Sequence, residues 1–231
     1  STGTCNYTVQ AGDTTSDLEV SSIAGTIADT SGNAMTNFVP VTNLAANKAI
    51  VIDTTAPSAP STPDLTAGTD SGTSSTDDIT SDTTPDFTIS CESSATVTLK
   101  EGLSSLGTGS CTGGTVTITS SVLSEGNHSI KASQADTAGN VSSESSTLSI
   151  TIDTTLPTIT SVSSDKTNGS YTTGEVIDID VTFSETVTST GSVTVTLETG
   201  ATDRTCTFTV TSASTGTCNY TVQAGDTTSD L

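Results

Sequence analysis

Ile177-Asp178-Ile179-Asp180-Val181-Thr182-Phe183 sets an apolar side chain at every odd position and an acid or a hydroxyl at every even one. Successive side chains of an extended strand point to opposite faces, so this stretch predicts a strand with one face buried and the other carrying acids to water. Outward from it the same pattern returns at Val193, Val195 and Leu197, at Cys206, Phe208 and Val210, and at Cys218, Tyr220 and Val222. Towards the N-terminus, strands are predicted over 87–91, 96–100, 114–119, 129–135 and 147–152. Pro and Gly punctuate the gaps, and no helix-period stripe of useful length occurs. Such spacing predicts an all-β chain of two-sheet antiparallel sandwiches rather than a parallel α/β sheet.

Composition alone places the chain near the disorder boundary: 26 Asp and Glu face 5 Lys and Arg, and aromatic residues make up 3% with no Trp. Short alternating runs, which low-complexity tails lack, decide for folded β structure. A net charge of −21 repels nucleic acid and anionic membranes and invites divalent cations. No stretch approaches the roughly 20 consecutive apolar residues of a membrane helix, so no direct membrane insertion is expected here. Residue 1 opens inside a repeat with no charged-then-apolar leader, and targeting signals are expected outside residues 1–231.

Residues 1–18 recur letter for letter at 214–231, an offset of 213 positions. Strand pairing leaves individual letters free, so this identity points to a tandem array of which the chain is a window. A subtler repeat divides each period. Ile52-Asp53-Thr54-Thr55-Ala56-Pro57 returns 100 residues later as Ile152-Asp153-Thr154-Thr155-Leu156-Pro157, and Ala-Asp-Thr-x-Gly-Asn lies upstream of each, at 28–33 and 135–140. The expected domains are therefore 54–153, complete and of a first type, flanked by two parts of a second type. Residues 1–53 form its C-terminal part and 154–231 its N-terminal part, completed by the next repeat. Both unit lengths suit a single β-sandwich.

Cys5 and Cys218 occupy the same repeat position, so each period carries four cysteines rather than five. Cys206 and Cys218 flank the polar stretch Thr-Ser-Ala-Ser-Thr-Gly between two alternating runs, which places them opposite each other on a hairpin. Cys91 and Cys111 bracket a second pair, and Cys5 pairs with the preceding repeat. Even numbers at this spacing point to disulfides and an oxidising compartment. Buried free thiols are the other reading. Zinc thiolate sites are disfavoured, because no Cys-x-x-Cys pair exists and His128 is the single histidine.

The run Asp70-Ser71-Gly72-Thr73-Ser74-Ser75-Thr76-Asp77-Asp78-Ile79-Thr80-Ser81-Asp82-Thr83-Thr84-Pro85 is followed by Glu125-Gly126-Asn127-His128-Ser129-Ile130, Ala135-Asp136-Thr137-Ala138-Gly139-Asn140 and Ile152-Asp153-Thr154-Thr155. In this order and spacing the chain resembles the bacterial immunoglobulin-like repeats of giant secreted adhesins. The second unit, with Val181-Thr182-Phe183-Ser184-Glu185, Thr196-Leu197-Glu198-Thr199-Gly200 and Tyr220-Thr221-Val222-Gln223-Ala224-Gly225-Asp226, looks like a companion module of similar surface proteins. The resemblance implies tandem immunoglobulin-like sandwiches in an extended rod on the bacterial cell surface. It implies neighbouring copies of the repeat as partners, and calcium stiffening the joints. The cysteines depart from this class.

On an immunoglobulin-like sandwich, Asp136 and Asn140 fall in the F-G loop and Glu92 just after strand B, all facing Asp53 of the preceding linker. At the next joint Asp153 faces Glu185. These oxygens, with carbonyls and water, suit the six to eight ligands that calcium takes. The other reading is that Asp-Thr-x-Gly-Asn is a tight turn, for which Asp, Gly and Asn are the expected letters. Asp64, Asp70, Asp77, Asp78, Asp82 and Asp86 form an acidic stretch without a basic residue. Either it folds around an ion, with Asp70, Asp77 and Asp82 the candidates, or it is a solvated loop.

Catalytic chemistry finds little footing. His128 is expected in an exposed E-F turn, and an aromatic-lined cleft for paired carboxylates is hard to build from 4 Phe and 3 Tyr. The chain is thus expected to be a non-catalytic spacer of a surface adhesin or fibre. The alternative is a polymerising filament subunit whose split domains are completed by neighbouring chains. A carbohydrate- or ice-binding module using Thr-rich strand faces is a third reading, although Thr is also a good strand former.

Overall fold

Wherever alternating letters predict a strand the chain forms one, and the computed structural model, which describes residues 2–228, adds strands where alternation fails. The chain divides into two compact units, Ser1–Thr154 and Thr155–Leu231.

The first unit contains β1 (Asp64–Leu65), β2 (Ile79–Thr80), β3 (Asp86–Ser90), β4 (Thr96–Glu101), β5 (Ser104–Ser110), β6 (Thr115–Thr119), β7 (Gly126–Ala135) and β8 (Leu148–Ile152). One sheet has the order β1-β3-β6 and the other β2-β8-β7-β4-β5. Leu65, Phe87, Ile89 and Ile118 from the smaller sheet share one buried core with Val97, Leu99, Ile130, Ala132, Ile150 and Ile152 from the larger. Burying each of the larger aliphatic or Phe side chains contributes about 1.5–3 kcal/mol. The expectation of a purely antiparallel sandwich is corrected at one edge. The chain leaves β1 in one sheet and crosses to the other as β2, which pairs parallel to β8 with Ile79 opposite Thr151.

The seven-residue strand β5 is invisible to apolar alternation, because its sequence is Ser-Ser-Leu-Gly-Thr-Gly-Ser. Its inward positions are glycines that let the backbone lie close on the opposite sheet. A Cβ on Gly107 would stand 2.8 Å from Ile118 Cγ2, and one on Gly109 2.6 Å from Val116 Cγ2. The apolar atoms that fill this part of the core come from β6, so β5 carries no hydrophobic signature of its own.

Residues 2–53 hold isolated bridges, Thr15 to Ile52 and Ala28 to Ala34, and a single helical turn, α1 (Leu44–Asn47). Asn43 caps that turn, its side-chain oxygen accepting from Leu44 N at 2.7 Å. Tyr7, Val9, Ile27, Met35, Val39, Val41 and Val51 are exposed.

The second unit contains β9 (Ile159–Ser163), β10 (Val176–Val187), β11 (Val193–Leu197), β12 (Arg204–Phe208) and β13 (Ala213–Thr221). They form a β13-β10-β9 sheet and a β11-β12 pair. Ile177, Ile179 and Val181 of β10 are buried with Cys206, Phe208, Val210, Cys218 and Tyr220, as their alternation predicts. All five residues of β9 are exposed, which explains why no burial period marks it.

Two disulfides are present, Cys91 to Cys111 with Cα atoms 6.0 Å apart and Cys206 to Cys218 at 5.6 Å. Cys5 is an exposed free thiol. The hairpin expectation for Cys206 and Cys218 is corrected: β12 pairs with β11, and β13 pairs with β10. The connection between them, with Ser212 at φ 50°, carries the chain from one sheet to the other instead of reversing it within one. Both bridges consequently run from sheet to sheet, since Cys91 follows β3 and Cys111 follows β5.

Gly109→Val is expected to destabilise the first unit by about 1–3 kcal/mol through overpacking against Val116 and Ile118. Equilibrium denaturation of the variant beside the native chain checks this; an unchanged midpoint would show that β5 does not press on the core.

Candidate functional site

The pole at which the chain enters the first sandwich is built from polar contacts. After β7, residues 136–140 turn back on themselves. Asp136 Oδ1 accepts from the backbone N of Ala138 and of Asn140, both at 2.9 Å, and Oδ2 from Asn140 Nδ2 at 2.8 Å. The Asn140 side chain foremost, with backbone N–H groups beside it, holds the Asp136 carboxyl below the usual range against a smaller opposing effect of burial. The tight-turn reading of Asp-Thr-x-Gly-Asn therefore describes this geometry. The same letters repeat it upstream, where Asp29 accepts from Ser31 N, Asn33 N and Asn33 Nδ2 at 2.9, 2.8 and 2.8 Å.

Asn140 Nδ2 also donates to the Asp53 carbonyl oxygen at 3.0 Å, so the loop and the incoming linker meet. The Asp53 carboxylate itself accepts from Thr55 N at 2.9 Å. Glu92 is exposed, and its backbone N donates to Gln134 Oε1 at 2.9 Å. Gln134, only 2% exposed, in turn donates to the Ser58 carbonyl at 2.8 Å. This glutamine ties the linker, the end of β3 and β7 together, and the sequence reading passed over it. Its signal was present: Gln134 continues the inward series Ile130 and Ala132, where a polar letter is out of place.

Of the second joint's residues, Asp153 stands just before the end of the first unit, its backbone N donating to Thr80 O at 2.9 Å. Glu185 lies on β10 of the second unit, half-buried, with Oε1 lacking a hydrogen-bond partner. In the acidic stretch, Asp82 Oδ1 accepts from Thr84 N at 2.8 Å, and Asp77 Oδ1 from Ile79 N at 3.3 Å. Asp70 is buried.

Among the described residues, one group of three carboxylates brings oxygens within 4.8 Å of one another: Asp165, Asp178 and Asp180. Asp178 and Asp180 project from the outer face of β10, and Asp165 follows β9. Asp178 Oδ2 accepts from Asp165 N at 2.8 Å, which is the main cause of its lowered pKa, and Asp180 Oδ1 accepts from Thr217 Oγ1 at 2.6 Å. Carboxylates so placed can in principle coordinate a cation. The alternation reading assigned Asp178 and Asp180 to water and did not include Asp165.

The expectation of an exposed turn for His128 is corrected. It lies on β7, 8% exposed, with Nδ1 3.0 Å from Glu101 Oε1 and Nε2 2.9 Å from the Ser124 carbonyl oxygen. Both ring nitrogens face acceptors, an arrangement that suits the imidazolium. The sequence pattern places His128 in phase with Ile130 and Ala132, on the covered face of the strand.

Among the described residues the first unit has eight strands in two sheets. Residues 55–154 match the family model of the bacterial Ig-like domain. None of the curated proteins matches the chain. The fold of residues 55–154, with its aliphatic interior and its disulfide from sheet to sheet, is consistent with a non-catalytic structural module.

Burial lowers the His128 pKa, but the Ser124 carbonyl and Glu101 outweigh it and the net shift is upward. A raised folded-state pKa makes the stabilisation complete below the unfolded value of about 6.5, and it is lost as pH rises through the folded value. The first unit is expected to melt at progressively lower temperature as pH climbs from 6 to above neutrality, and Glu101→Gln to flatten that dependence. Thermal melts across this range check it, and a slope unchanged in the variant refutes the pairing.

Proposed function

We propose that the chain is a stretch of a non-catalytic spacer array on a bacterial surface, in which a copy of residues 19–53 completes each sandwich begun by residues 154–231. One observation carries this reading: the duplicated segment has two fates. In its C-terminal copy Tyr220 and Cys218 are each 4% exposed, and Cys218 is bonded to Cys206. In its N-terminal copy Tyr7 is 56% exposed and Cys5 is an exposed free thiol. The same letters are core where β10 and β12 pack against them, and surface in residues 2–8, which belong to no strand. A cleft in the second unit, lined by Tyr171, Ile177, Thr199, Tyr220 and Val222, is the place for the continuing chain to cover.

The bacterial Ig-like match over 55–154 supports the surface location and the spacer role. Neighbouring copies of the repeat are the partners. Calcium is the cation that stiffens the joints in this reading, at Asp53, Glu92, Asp136 and Asn140 and again at Asp153 and Glu185. The hydrogen bond from Asn140 to the Asp53 carbonyl supports a fixed linker, with or without the ion. The two fates fit equally a filament of separate chains that complete one another, and the mass of the intact polypeptide in denaturing, reducing buffer separates the two.

Appending residues 19–53 after Leu231 is expected to raise the melting midpoint of the second unit and to shield Tyr220 further from solvent quenchers. An appended segment that stays as exposed as the native residues 19–53, with no change in midpoint, removes the completion reading. For the joints, X-ray scattering of the extended chain is expected to report a more flexible particle on addition of chelator. Identical profiles with and without chelator would leave the spacer but discard the calcium.

A further inference from the structure

The second unit repeats the strand plan of the first as far as it goes. β3 lies between β1 and β6, and β10 between β9 and β13, antiparallel to both neighbours in each case. The pair of β4 and β5 has its counterpart in β11 and β12. Val97-Thr98-Leu99 on β4 returns as Val195-Thr196-Leu197 on β11, and a left-handed glycine follows each run at the same distance, Gly102 at φ 56° and Gly200 at φ 98°. The plans part at one edge. β4 pairs with β5 on one side and β7 on the other, whereas β11, among the described residues, pairs with β12 alone. Val97 and Leu99 are 0% exposed, but Val195 and Leu197 are only half-buried. A free strand edge beside a half-covered apolar face is a place for a further strand to add.

The letters of residues 214–231, where they occur at 1–18, run on into residues 19–53, and these are built like β7 and β8. The turn at 29–33 repeats that at 136–140: Asp29 N donates to Asn33 O at 3.0 Å, and Asp136 N to Asn140 O at 3.1 Å. Beyond each turn the chain comes back along itself. Ala28 bridges to Ala34 as Ala135 does to Val141, and Met35 N donates to Ile27 O at 2.7 Å as Ser142 N does to Gln134 O at 2.9 Å. Leu18 N donates to Ile50 O at 2.8 Å and Thr15 bridges to Ile52, so the end of the segment lies along its start as β8 lies along β7. Ile27 therefore stands where Gln134 stands, and Ile23 where Ile130 stands. Ile130 and Gln134 are 0% and 2% exposed, but Ile23 and Ile27 are 47% and 51% exposed.

We propose that the free edge of β11 is the docking edge for a further copy of residues 19–53, whose residues 23–28 add to it as an antiparallel strand with Ile27 opposite Val195 and Gly25 opposite Leu197. The proposal rests on the completion of the second sandwich put forward above, and adds to it the edge, the direction and the register. The register is that of Val97 with Gln134 and of Leu99 with Ala132 in the first unit. Directly opposed residues share a face, so Ile27 joins Val195 on the apolar side and extends the cover that Val195 and Leu197 lack. β9, β12 and β13 offer rival edges, but their counterparts β1, β5 and β6 each end a sheet in the first unit.

The test uses the full chain continued after Leu231 by a copy of residues 19–53, with Cys5→Ser to remove the free thiol. Thr26→Cys in the appended copy is combined in turn with Thr196→Cys on β11, Ser161→Cys on β9, Thr207→Cys on β12 and Thr215→Cys on β13, all at exposed positions. In the proposed register Thr26 faces Thr196 as Ser133 faces Thr98, and opposed Cβ atoms of antiparallel strands are close enough for a disulfide. Under oxidised glutathione the Thr196 variant is expected to close the new bond in most molecules and the other three in few, as read by mass spectrometry of the digested chain. The extended chain without added cysteines is expected to melt at a higher midpoint than the native one. A raised midpoint with the bond formed preferentially at Ser161, Thr207 or Thr215, or at none of the four, overturns the docking edge and leaves the completion standing. An unchanged midpoint overturns both, whatever bond a tethered segment makes.

Discussion

A β-sheet with one apolar face is unstable until a second sheet covers it, and every other feature of this chain follows from how that cover is supplied. In the first unit it is complete. Phe87, Ile89 and Ile118 meet Val97, Leu99, Ile130 and Ile150 across the sandwich, and each of these is 3% exposed or less. With aromatic residues at 3% of the chain, the area available for burial is modest, and the disulfides supplement it by linking one sheet to the other. A bridge closing a loop of the Cys91 to Cys111 length restricts the unfolded chain by about 3 kcal/mol on the chain-entropy account. That contribution does not depend on the surface charge, which otherwise works against compactness.

The duplicated segment separates what a sequence encodes locally from what it encodes only in company. In both copies the Tyr-Thr-Val-Gln-Ala-Gly-Asp run makes one turn. Asp13 N donates to Gln10 O at 3.1 Å and Asp226 N to Gln223 O at 3.2 Å, and Gly12 and Gly225 take φ 93° and 94°. The tyrosine hydroxyl donates to the aspartate in each copy. Burial and strand pairing do not follow the letters. Thr215 to Thr221 pair with β10, whereas the corresponding residues 2–8 belong to no strand. Turn chemistry is written in seven consecutive residues, but a strand exists only where another strand presents its backbone.

The same distinction explains what was legible and what was not. Strands β3, β4, β6, β7, β8 and β10 to β13 alternate apolar and polar letters because one of their faces is covered, and they could be read directly. β5 was missed because Gly107 and Gly109 occupy its inward positions and the core volume is donated by β6. β9 was missed because none of its side chains is buried. The disulfide partners were legible from spacing, but their geometry was not, since spacing cannot distinguish a chain that reverses within a sheet from one that changes sheets. Around the linker pole, Asp136 and Asn140 announce themselves by the turn they make. Gln134 and His128 instead hide in strand pattern, and their roles depend on Ser58, Glu92 and Glu101, contributed by distant parts of the chain, and on the nearby Ser124 carbonyl.

The acidic surface and the buried Asp70 are two sides of one electrostatic problem. A net charge of −21 produces self-repulsion that keeps neighbouring surfaces apart and favours extended arrangements over aggregation, at a cost to the compact state of each unit. Most of these acids are turned to water, where a Debye length of about 8 Å at physiological ionic strength screens them from one another. Asp70 cannot be screened in this way, because the loop that carries it is stitched shut by Thr66, Thr69, Ser71 and Thr80. With no basic residue beside it, its burial costs stability that the core and the hydrogen bonds closing the loop offset.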